Sequence, residues 1–310
     1  ADSLPQRIAR YSQAKERALA MQDYLSNLNQ DPLGTSQKAA ASLSICGNYL
    51  HFRHYYPVGE IRLHSARFCK QHLICPLCAI RRGAKALEAY LARYSVIQVS
   101  NEALRPFLIT FTVQDGPDLW KRYRHLQKSF KALQKKRHRW ISGVRGVPYT
   151  EFAKVQGAVG NYEIKRGANS GLWHPHTHMI AMCEHPPDKY KLRAEWEQIT
   201  GDSFMVDVRP LDMHKDPAQD FLEVFKYAVK FSSLELSDNW LAAKLLSGCR
   251  LLYSFGVFRG VKVPENLTDE PLDEVHYFDL FYRYFSGAGY TLTGEIPSSS
   301  EGVTPEQVKA

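Results

Sequence analysis

The sequence predicts a mixed α+β fold, and three observations carry this prediction. His174, His176 and His178 stand at alternate positions before an apolar run, which is the period of a β-strand that carries the imidazoles on one face. A second apolar run, rich in β-forming residues, covers residues 107–113. Between the two predicted strands, residues 119–140 place apolar side chains at spacings of three and four, as an amphipathic helix does.

Composition restricts the class of protein. With 310 residues, of which 44% are hydrophobic and 12% aromatic, the chain has ample material for a core, and general disorder is excluded. A net charge of +8 and a pI of about 9.1 favour a polyanionic partner, either nucleic acid or an acidic membrane surface. No apolar run approaches the roughly 20 residues of a membrane span, and the first residues lack the apolar core of a signal peptide. We therefore expect a soluble, cytoplasmic protein.

The first 44 residues are predicted to form a helical segment. Apolar residues recur among charged ones from residue 5 to about 29, which indicates an amphipathic helix, and residues 31–36 have the composition of a loop. A packing or adaptor role is the default expectation for such a helix.

A cysteine-rich segment follows. Four of the six cysteines lie in it: Cys46, Cys69, Cys75 and Cys78. A Cys-x-x-Cys pair preceded by two more cysteines is typical of a tetrahedral Cys₄ site, in which the closed ligand set makes zinc structural. Disulfide bonds or buried free thiols are the alternatives, and His64 or His72 could replace Cys46 as a ligand. Residues 45–100 are thus predicted to be a zinc module and a linking helix that begins near Ala79.

Two basic stretches are predicted to contact DNA phosphates. Arg81 and Arg82 follow the Cys-x-x-Cys pair directly. In the helix 119–140, which Asp118 is expected to cap, nine lysines and arginines occur without an acidic residue. The DNA contacts expected from this helix and from the histidine strand are Lys128, Lys131, Lys135, Lys136, Arg137 and His174. A solvated charged face is the usual alternative for such a run.

The histidine strand is expected to form a hairpin with residues 158–165, because residues 167–171 are rich in turn formers. This pairing places Glu163 opposite His176, on the face that also carries His178. Two imidazoles and one carboxylate leave open positions for substrate oxygens and suit Mg²⁺ or Mn²⁺ acting on a phosphate. The alternative is a histidine-rich strand that faces solvent.

A further helix is predicted over residues 216–231. Glu223, Tyr227 and Lys230 then share one helical face at positions i, i+4 and i+7. A carboxylate, a phenol and an ammonium in one stripe are an unusual set for a structural helix. The alternative is a charged face with a half-buried tyrosine.

In the sequence, a predicted helix and strand precede this helix, and another predicted helix and strand follow it. Before it we expect a helix over 188–199 and a strand over 204–208, and after it a helix over 239–246 and a strand over 250–259. Six carboxylates and no lysine or arginine fall between residues 265 and 279. Residues 261–310 are therefore predicted to be an acidic, partly flexible segment.

Four features in this order resemble a known family. They are the cysteine segment ending in Cys75-Pro76-Leu77-Cys78, the strand 107–113, the His-Pro-His-Thr-His run and the Lys-Tyr-Ala-Val-Lys motif around Tyr227. Together they are similar to the rolling-circle plasmid replication initiators, in the single-tyrosine branch of the HUH (His–hydrophobic–His) endonucleases. Thr177 stands where that family usually has a bulkier apolar residue.

The resemblance implies a fold and an activity. The fold is a five-stranded antiparallel sheet flanked by helices, here expected over residues 101–260. The activity is the nicking of one strand at the plasmid's double-strand origin, with His176 and His178 as metal ligands and Tyr227 as nucleophile. Glu163 is the third ligand on this mapping, Lys230 the cation beside the phenol, and Glu223 the base of the terminating cleavage. Tyr253 and Tyr162 are the next candidates for the nucleophile.

Cofactors and partners follow from the same mapping. We expect a catalytic Mg²⁺ or Mn²⁺, a structural Zn²⁺, origin DNA in single- and double-stranded form, and a host helicase and DNA polymerase. A transposase or conjugative relaxase of the same superfamily remains an alternative, as does a non-catalytic zinc-containing DNA-binding protein.

Overall fold

The computed structural model describes residues 3–28, 33–212, 215–225 and 234–298. The chain divides into two compact units. The terminal unit comprises Ala1–Arg81 together with Glu265–Ala310, and the central unit comprises Arg82–Pro264. This division differs from the predicted boundaries at 44, 100 and 260, because both ends of the chain contribute to one unit.

Seven helices and nine strands are present in the described residues. The helices are α1 (Leu4–Ser26), α2 (Thr35–Ile45), α3 (Pro76–Ser100), α4 (Leu119–Ile141), α5 (Lys189–Thr200), α6 (Pro217–Phe225) and α7 (Leu236–Leu246), with a short 3₁₀ turn at Glu151–Lys154. The strands are β1 (Tyr49–Tyr55), β2 (Glu60–Ala66), β3 (Arg105–Thr112), β4 (Val155–Arg166), β5 (Trp173–Cys183), β6 (Val206–Pro210), β7 (Leu252–Gly256), β8 (Phe278–Phe285) and β9 (Gly289–Pro297). Every helix in these ranges is too short or too polar to cross a bilayer.

The central unit is built on a five-stranded sheet with the order β6-β3-β5-β4-β7. All four pairings are antiparallel. The sheet is flanked by helices, so the predicted α+β fold with a five-stranded antiparallel sheet is confirmed. The buried apolar runs at residues 107–109 of β3 and 179–183 of β5 fit the inner positions of these strands, where both faces are covered.

Helices cover the two faces of the central sheet in different ways. On one face, Phe111 packs against Phe130 of α4 and Trp196 of α5. On the other face, Leu108 and Ile180 belong to a buried cluster to which α3 and α6 contribute Tyr90, Phe221 and Phe225 among others. Because side chains alternate along a strand, we can distinguish an α4/α5 face and an α3/α6 face of the sheet.

Local signals explain why α4 and α5 begin and end where they do. The Asp118 carboxylate accepts a hydrogen bond from the Lys121 amide at 3.0 Å, as predicted for the cap of α4. Asp188 caps α5 in the same way, and Gly201, with a φ of +71°, ends it. The predicted apolar stripe of α4 is buried and comprises Leu119, Tyr123, Leu126, Phe130 and Leu133. The helix presents its charged residues on the opposite side.

The terminal unit contains a second, four-stranded antiparallel sheet with the order β2-β1-β8-β9. Helix α1 packs on it, with Tyr11 stacked on Phe52 at 6.5 Å between ring centroids. The acidic, partly flexible segment predicted over residues 261–310 thus contains two strands, β8 and β9, that the sequence analysis did not predict. Strand β8 pairs along its length with β1 and supplies buried Leu280 to the core of this unit.

A partly buried ion pair connects the acidic stretch to the start of α3. The Asp269 carboxylate accepts hydrogen bonds from the Leu63 amide at 2.7 Å and from the Arg81 guanidinium. Arg81 also donates to the Leu267 carbonyl at 2.6 Å and to the Tyr11 hydroxyl at 3.2 Å. Burial alone would raise the pKa of the Asp269 carboxyl, but Arg81 and the Leu63 amide bring it below its ordinary value.

Candidate metal centres and their surroundings

The β4–β5 hairpin brings Glu163, His176 and His178 together on the α3/α6 face. Glu163 is the register partner of His176, as predicted, and His178 lies two residues further along the same strand. Nε2 of His176 is 3.4 Å from Oε1 of Glu163, and Nε2 of His178 is 3.8 Å from Oε2. The side chains of Glu163 and His176 are buried, whereas 18% of the His178 side chain is exposed. One side of the cluster is therefore open to a ligand.

The donor set fits a divalent cation. The three candidate ligand atoms lie within 4.8 Å of one another. Ligands about 2.1 Å from a shared octahedral ion are about 3–4 Å apart, so the observed separations need only a small adjustment. Two imidazoles and one carboxylate would occupy half of an octahedral shell and leave positions for substrate oxygens. The donor types do not identify the metal.

Neighbouring groups orient both imidazoles. Nδ1 of His178 is 2.7 Å from the hydroxyl of Thr110, its register partner on β3. Nδ1 of His176 is 3.4 Å from the carbonyl oxygen of His174. Each ring therefore directs Nε2 towards Glu163. A hydrogen bond to the second ring nitrogen is the usual way in which proteins orient a metal-binding histidine.

His174 is held at the end of the hairpin by Asp115, which follows β3. Nδ1 of His174 is 2.5 Å from Oδ1 of Asp115, whose other oxygen accepts a hydrogen bond from the Ser170 hydroxyl. Burial lowers the pKa of His174, although Asp115 opposes this effect. Its ring centroid is 5.2 Å from that of His176, so His174 borders the cluster without belonging to the ligand set.

Thr177 lies on the α4/α5 face, between the two histidines in sequence but opposite them in space. It is fully buried, donates a hydrogen bond to the Asn161 carbonyl at 3.0 Å and lies 2.6 Å from the Tyr253 hydroxyl. Tyr162, its register partner, faces the same side. Burial raises the pKa of both Tyr253 and Tyr162. Both phenols lie on the face opposite the histidine cluster, which argues against either as an alternative nucleophile for a phosphate bound there.

The predicted catalytic helix is described only in part. Helix α6 covers Pro217–Phe225, so Tyr227 and Lys230 lie outside the described residues, as does the side chain of Glu223. Phe225 stacks on Tyr90 at 5.4 Å on the α3/α6 face. Gly83 of α3 permits this close approach, because a Cβ there would lie 2.7 Å from the Phe225 carbonyl oxygen. The residue two positions before Tyr227 thus lies on the face that carries the metal cluster.

The basic residues of α4 fall into two groups. Lys128, Lys131 and Lys135 are exposed, and so are Lys121 and Arg124, which extend the same side of the helix at spacings of three and four. The last two belong to the predicted basic run but not to the DNA contacts named from it. We call these five residues the α4 basic stripe. Lys136 instead lies 3.8 Å from Glu195. Arg137 donates to the Val155 carbonyl at 2.8 Å and packs over the Phe255 ring, so its predicted role in DNA binding is replaced by a structural one.

Arg81 requires a similar correction. Only 4% of its side chain is exposed and its guanidinium is engaged by Asp269, Leu267 and Tyr11, so it cannot reach a phosphate without breaking that network. Arg82, the next residue, is exposed. The two arginines differ because successive helical positions point about 100° apart, which places one inside and one outside.

The four predicted cysteines form a second cluster, in the terminal unit. Sγ of Cys46 is 3.6 Å from Sγ of both Cys75 and Cys78, and Sγ of Cys69 is 3.6 Å from Sγ of Cys78. Sulfurs about 2.3 Å from a tetrahedral zinc ion are about 3.8 Å apart, whereas a disulfide needs about 2.05 Å. The cysteines are free, so the disulfide alternative is wrong, and the set closes without His64 or His72.

Each cysteine of this cluster is placed by an element of the fold. Cys46 ends α2, and Cys75 and Cys78 lie at the start of α3, where the helix N-terminus favours thiolates. Gly47 has a φ of +64°, and a Cβ there would lie 2.3 Å from Leu77. Nζ of buried Lys15 donates to the Cys46 carbonyl at 2.7 Å, which places a cation beside the four sulfurs. The Lys15 ammonium and the start of α3 thus favour the thiolate form of the cysteines, which is the form that binds a metal ion.

Comparisons with known proteins agree with this picture. The chain is 26% identical over 261 residues to a "Protein rep" of Bacillus amyloliquefaciens, covering 78% of this chain and 67% of that protein. It is 26% identical over 183 residues to a "Protein rep" of a Bacillus species, covering 56% of this chain and 53% of the relative. The chain thus spans about two thirds of one relative and about half of the other. No solved structure gives a significant match.

The family comparison covers most of the chain. The model of the replication protein family matches residues 60–280, a stretch that includes the histidine hairpin and three of the four clustered cysteines. The predicted kinship with replication proteins is confirmed. This chain belongs to the replication protein (Rep) family.

Proposed function

We propose that the protein is a plasmid rolling-circle replication initiator that nicks one strand of its double-strand origin. The observation that carries this proposal is the shared α3/α6 face. Glu163, His176 and His178 lie on it, and Phe225, two residues before Tyr227, packs on it. Tyr227 follows Phe225 by two positions in the sequence, and we infer that it attacks a phosphate bound at the cluster.

The proposed reaction is a transesterification. The Tyr227 oxygen attacks the scissile phosphorus and its proton passes to solvent. The 3′-oxygen leaves and takes up a proton from solvent to become a free hydroxyl that primes synthesis, while the 5′-phosphate remains on the tyrosine. Lys230, three residues beyond Tyr227 in the sequence, would favour the phenolate, whose unperturbed pKa is about 10. A divalent ion such as Mg²⁺ or Mn²⁺ held by His176, His178 and Glu163 would supply charge stabilisation at the phosphate oxygens.

The first test replaces the nucleophile. Tyr227→Phe is expected to bind origin DNA as the parent does but to form no covalent protein–DNA adduct, because only the attacking oxygen is lost. Adducts are counted by denaturing electrophoresis after incubation with supercoiled plasmid and Mn²⁺. Tyr162→Phe is the matched control and should form the adduct normally, since its phenol is buried on the opposite face. An adduct that persists in Tyr227→Phe would refute the assignment, and a parent that never nicks would indicate a non-catalytic DNA-binding protein.

Termination is assigned to Glu223. It lies four residues before Tyr227, and side chains at this spacing on a helix are about 5–6 Å apart at Cβ. A carboxylate there can take a proton from water, which then hydrolyses the second phosphodiester and leaves no new covalent link. The cycle would end after one round, because the energy of the phosphotyrosine bond is not conserved.

The expected result for Glu223→Ala is therefore a split between initiation and termination. The variant should still nick and form the Tyr227 adduct but release at least about tenfold fewer single-stranded circles, in line with the usual contribution of a general base. Circles released from a plasmid carrying two origins measure this step. Glu223→Gln serves as the isosteric control and should behave in the same way. Termination at the parental level in both variants would exclude Glu223 as the base.

The remaining assignments concern binding. Origin DNA is the proposed partner, with phosphate contacts from the α4 basic stripe, Arg82 and His174, and a host helicase and polymerase would act on the nicked product. Zn²⁺ is the proposed occupant of the cysteine cluster, with a structural role because four thiolates leave no open position.

A further inference from the structure

The terminal sheet has one covered face and one open face. Leu50, Phe52, Leu63 and Leu280 are buried on the side where α1 packs. The alternate residues of the central strands point to the other side, where Tyr49, His51 and Arg53 of β1 lie opposite Arg283, Phe281 and Asp279 of β8. This second face, which we call the open face, has no part in the metal chemistry described above.

One end of the open face carries a row of aromatic rings and a guanidinium. The Arg283 guanidinium lies 5.5 Å from the ring centroid of Tyr49 and 5.3 Å from that of Phe285. Tyr49 is 58% exposed and Phe285 41% exposed, although aromatic side chains normally bury most of their surface. Rings that alternate with a guanidinium suit flat, anionic ligands better than an aliphatic protein surface.

The row continues into a cleft. His51 stacks on Phe281 with 4.5 Å between ring centroids and 21° between planes. The cleft beside this pair has a volume of about 590 Å³ and is also lined by Ser65, Arg67 and Tyr49. It is an open trough rather than an enclosed cavity, which suits a chain that passes along the sheet.

The charge of the open face is positive. Arg283 and Arg67 are exposed, and Asp279 is already engaged by His51 at 2.6 Å and by Arg53 at 3.3 Å. A polyanion approaching the face would therefore meet guanidinium groups, with the carboxylate of this patch already paired. Such complementarity favours a nucleic acid over a neutral or acidic peptide.

We propose that the open face binds single-stranded DNA, with bases stacked on Tyr49, Phe281 and Phe285 and phosphates paired with Arg283 and Arg67. The bases of a duplex are stacked on one another inside the helix, whereas those of a single strand can lie on exposed rings, and every base has such a surface. The proposal rests on the proposed function, in which nicking and unwinding supply the single strand. It adds a second DNA site, on the unit that does not contain the histidine cluster.

The test measures binding rather than nicking. The full-length protein is titrated, without added Mg²⁺ or Mn²⁺, into a fluorescein-labelled oligo-dT of about 20 nucleotides, long enough to span a site of this type, and into a duplex of equal length. Tyr49→Ala/Arg283→Ala/Phe285→Ala should bind the single strand at least about tenfold more weakly, since each stacked ring contributes about fivefold or more. Tyr190→Ala is the control, which removes an even more exposed tyrosine on α5, and should bind as the parent does.

Each outcome of this experiment either supports or overturns the proposed single-strand site. Parental affinity of the triple variant for oligo-dT would overturn the proposal, and an equal loss on the duplex would reduce the face to a general cationic patch. A parent dimer that the triple variant dissociates would make the face a protein interface instead. Loss of zinc would show that the triple variant is misfolded. In that case the binding comparison is replaced by cross-linking of the parent protein to a 5-iododeoxyuridine oligonucleotide. Adducts on Tyr49, Phe281 or Phe285 support the site, and adducts confined to other residues overturn it.

The two proposals can fail separately. A protein that binds oligo-dT through the open face but never nicks origin DNA would refute the proposed nicking and leave this site intact. A protein that forms the Tyr227 adduct, but whose triple variant binds oligo-dT normally, would refute only the open-face site.

Discussion

His176→Ala is expected to reduce nicking of supercoiled origin plasmid by about 1000-fold, because it removes a buried ligand of the proposed metal site, on which charge stabilisation at the phosphate would depend. Excess Mn²⁺ should restore part of the activity, since Glu163 and His178 remain to hold the ion. Initial rates of conversion from supercoiled to open circle, followed over a range of Mn²⁺ concentrations, measure both effects. Origin binding without metal should be unchanged.

A second variant tests the metal dependence of nicking with a milder change at the same cluster. Thr110→Val keeps the shape of the side chain but removes the hydroxyl that lies 2.7 Å from Nδ1 of His178. Loss of such an orienting partner typically costs 10–100-fold in metal affinity, so the Mn²⁺ concentration for half-maximal nicking should rise about that much, with a normal rate at saturation. If His176→Ala nicked at the parental rate with unchanged Mn²⁺ dependence, the histidine cluster would not be the catalytic centre.

The second large effect is expected from Cys75→Ser/Cys78→Ser. Removing two of four thiolates should eliminate the bound zinc and with it the folding energy that the ion supplies, which is about 10–16 kcal/mol in small zinc modules. The terminal unit should then lose its cooperative thermal transition, while the central unit keeps its own. Elemental analysis gives the zinc content, and calorimetry separates the two transitions.

Cys249→Ser provides the control for this experiment. Cys249 lies in the central unit and outside the cluster, so the substitution should leave one zinc per chain and both transitions in place. Purified parent protein without zinc, or an unchanged melting curve in the double variant, would show that the four sulfurs pack without an ion.

The central sheet and its cluster could be predicted because their determinants are local. The His-x-His alternation and the turn after residue 166 are read within about 25 residues, and they determine both the strand period and the register of Glu163 with His176. The cysteine cluster could also be predicted from the sequence, since the Cys-x-x-Cys spacing of Cys75 and Cys78 is typical of metal sites.

The terminal sheet could not be predicted because its pairing is non-local. Strand β1 pairs with β8, more than 220 residues later, and no local pattern reports a partner at that distance. The carboxylates between 265 and 279 made the segment resemble a solvated tail, although Asp269 and Asp279 each bind an arginine. Arg81 illustrates the same limit, since its partner Asp269 lies 188 residues away.

The discontinuity of the terminal unit has a consequence for how the protein is made. Its first part, up to Arg81, is synthesised before the central unit, but β8 and β9 are synthesised after it. The contiguous central unit can fold during translation, whereas β1 keeps an unpaired edge until β8 has been synthesised. A chain truncated before residue 278 would retain all four cysteines and the whole histidine hairpin, yet it would carry an exposed, aromatic strand edge prone to aggregation. Completion of the terminal sheet thus depends on synthesis of the chain as far as β8 and β9.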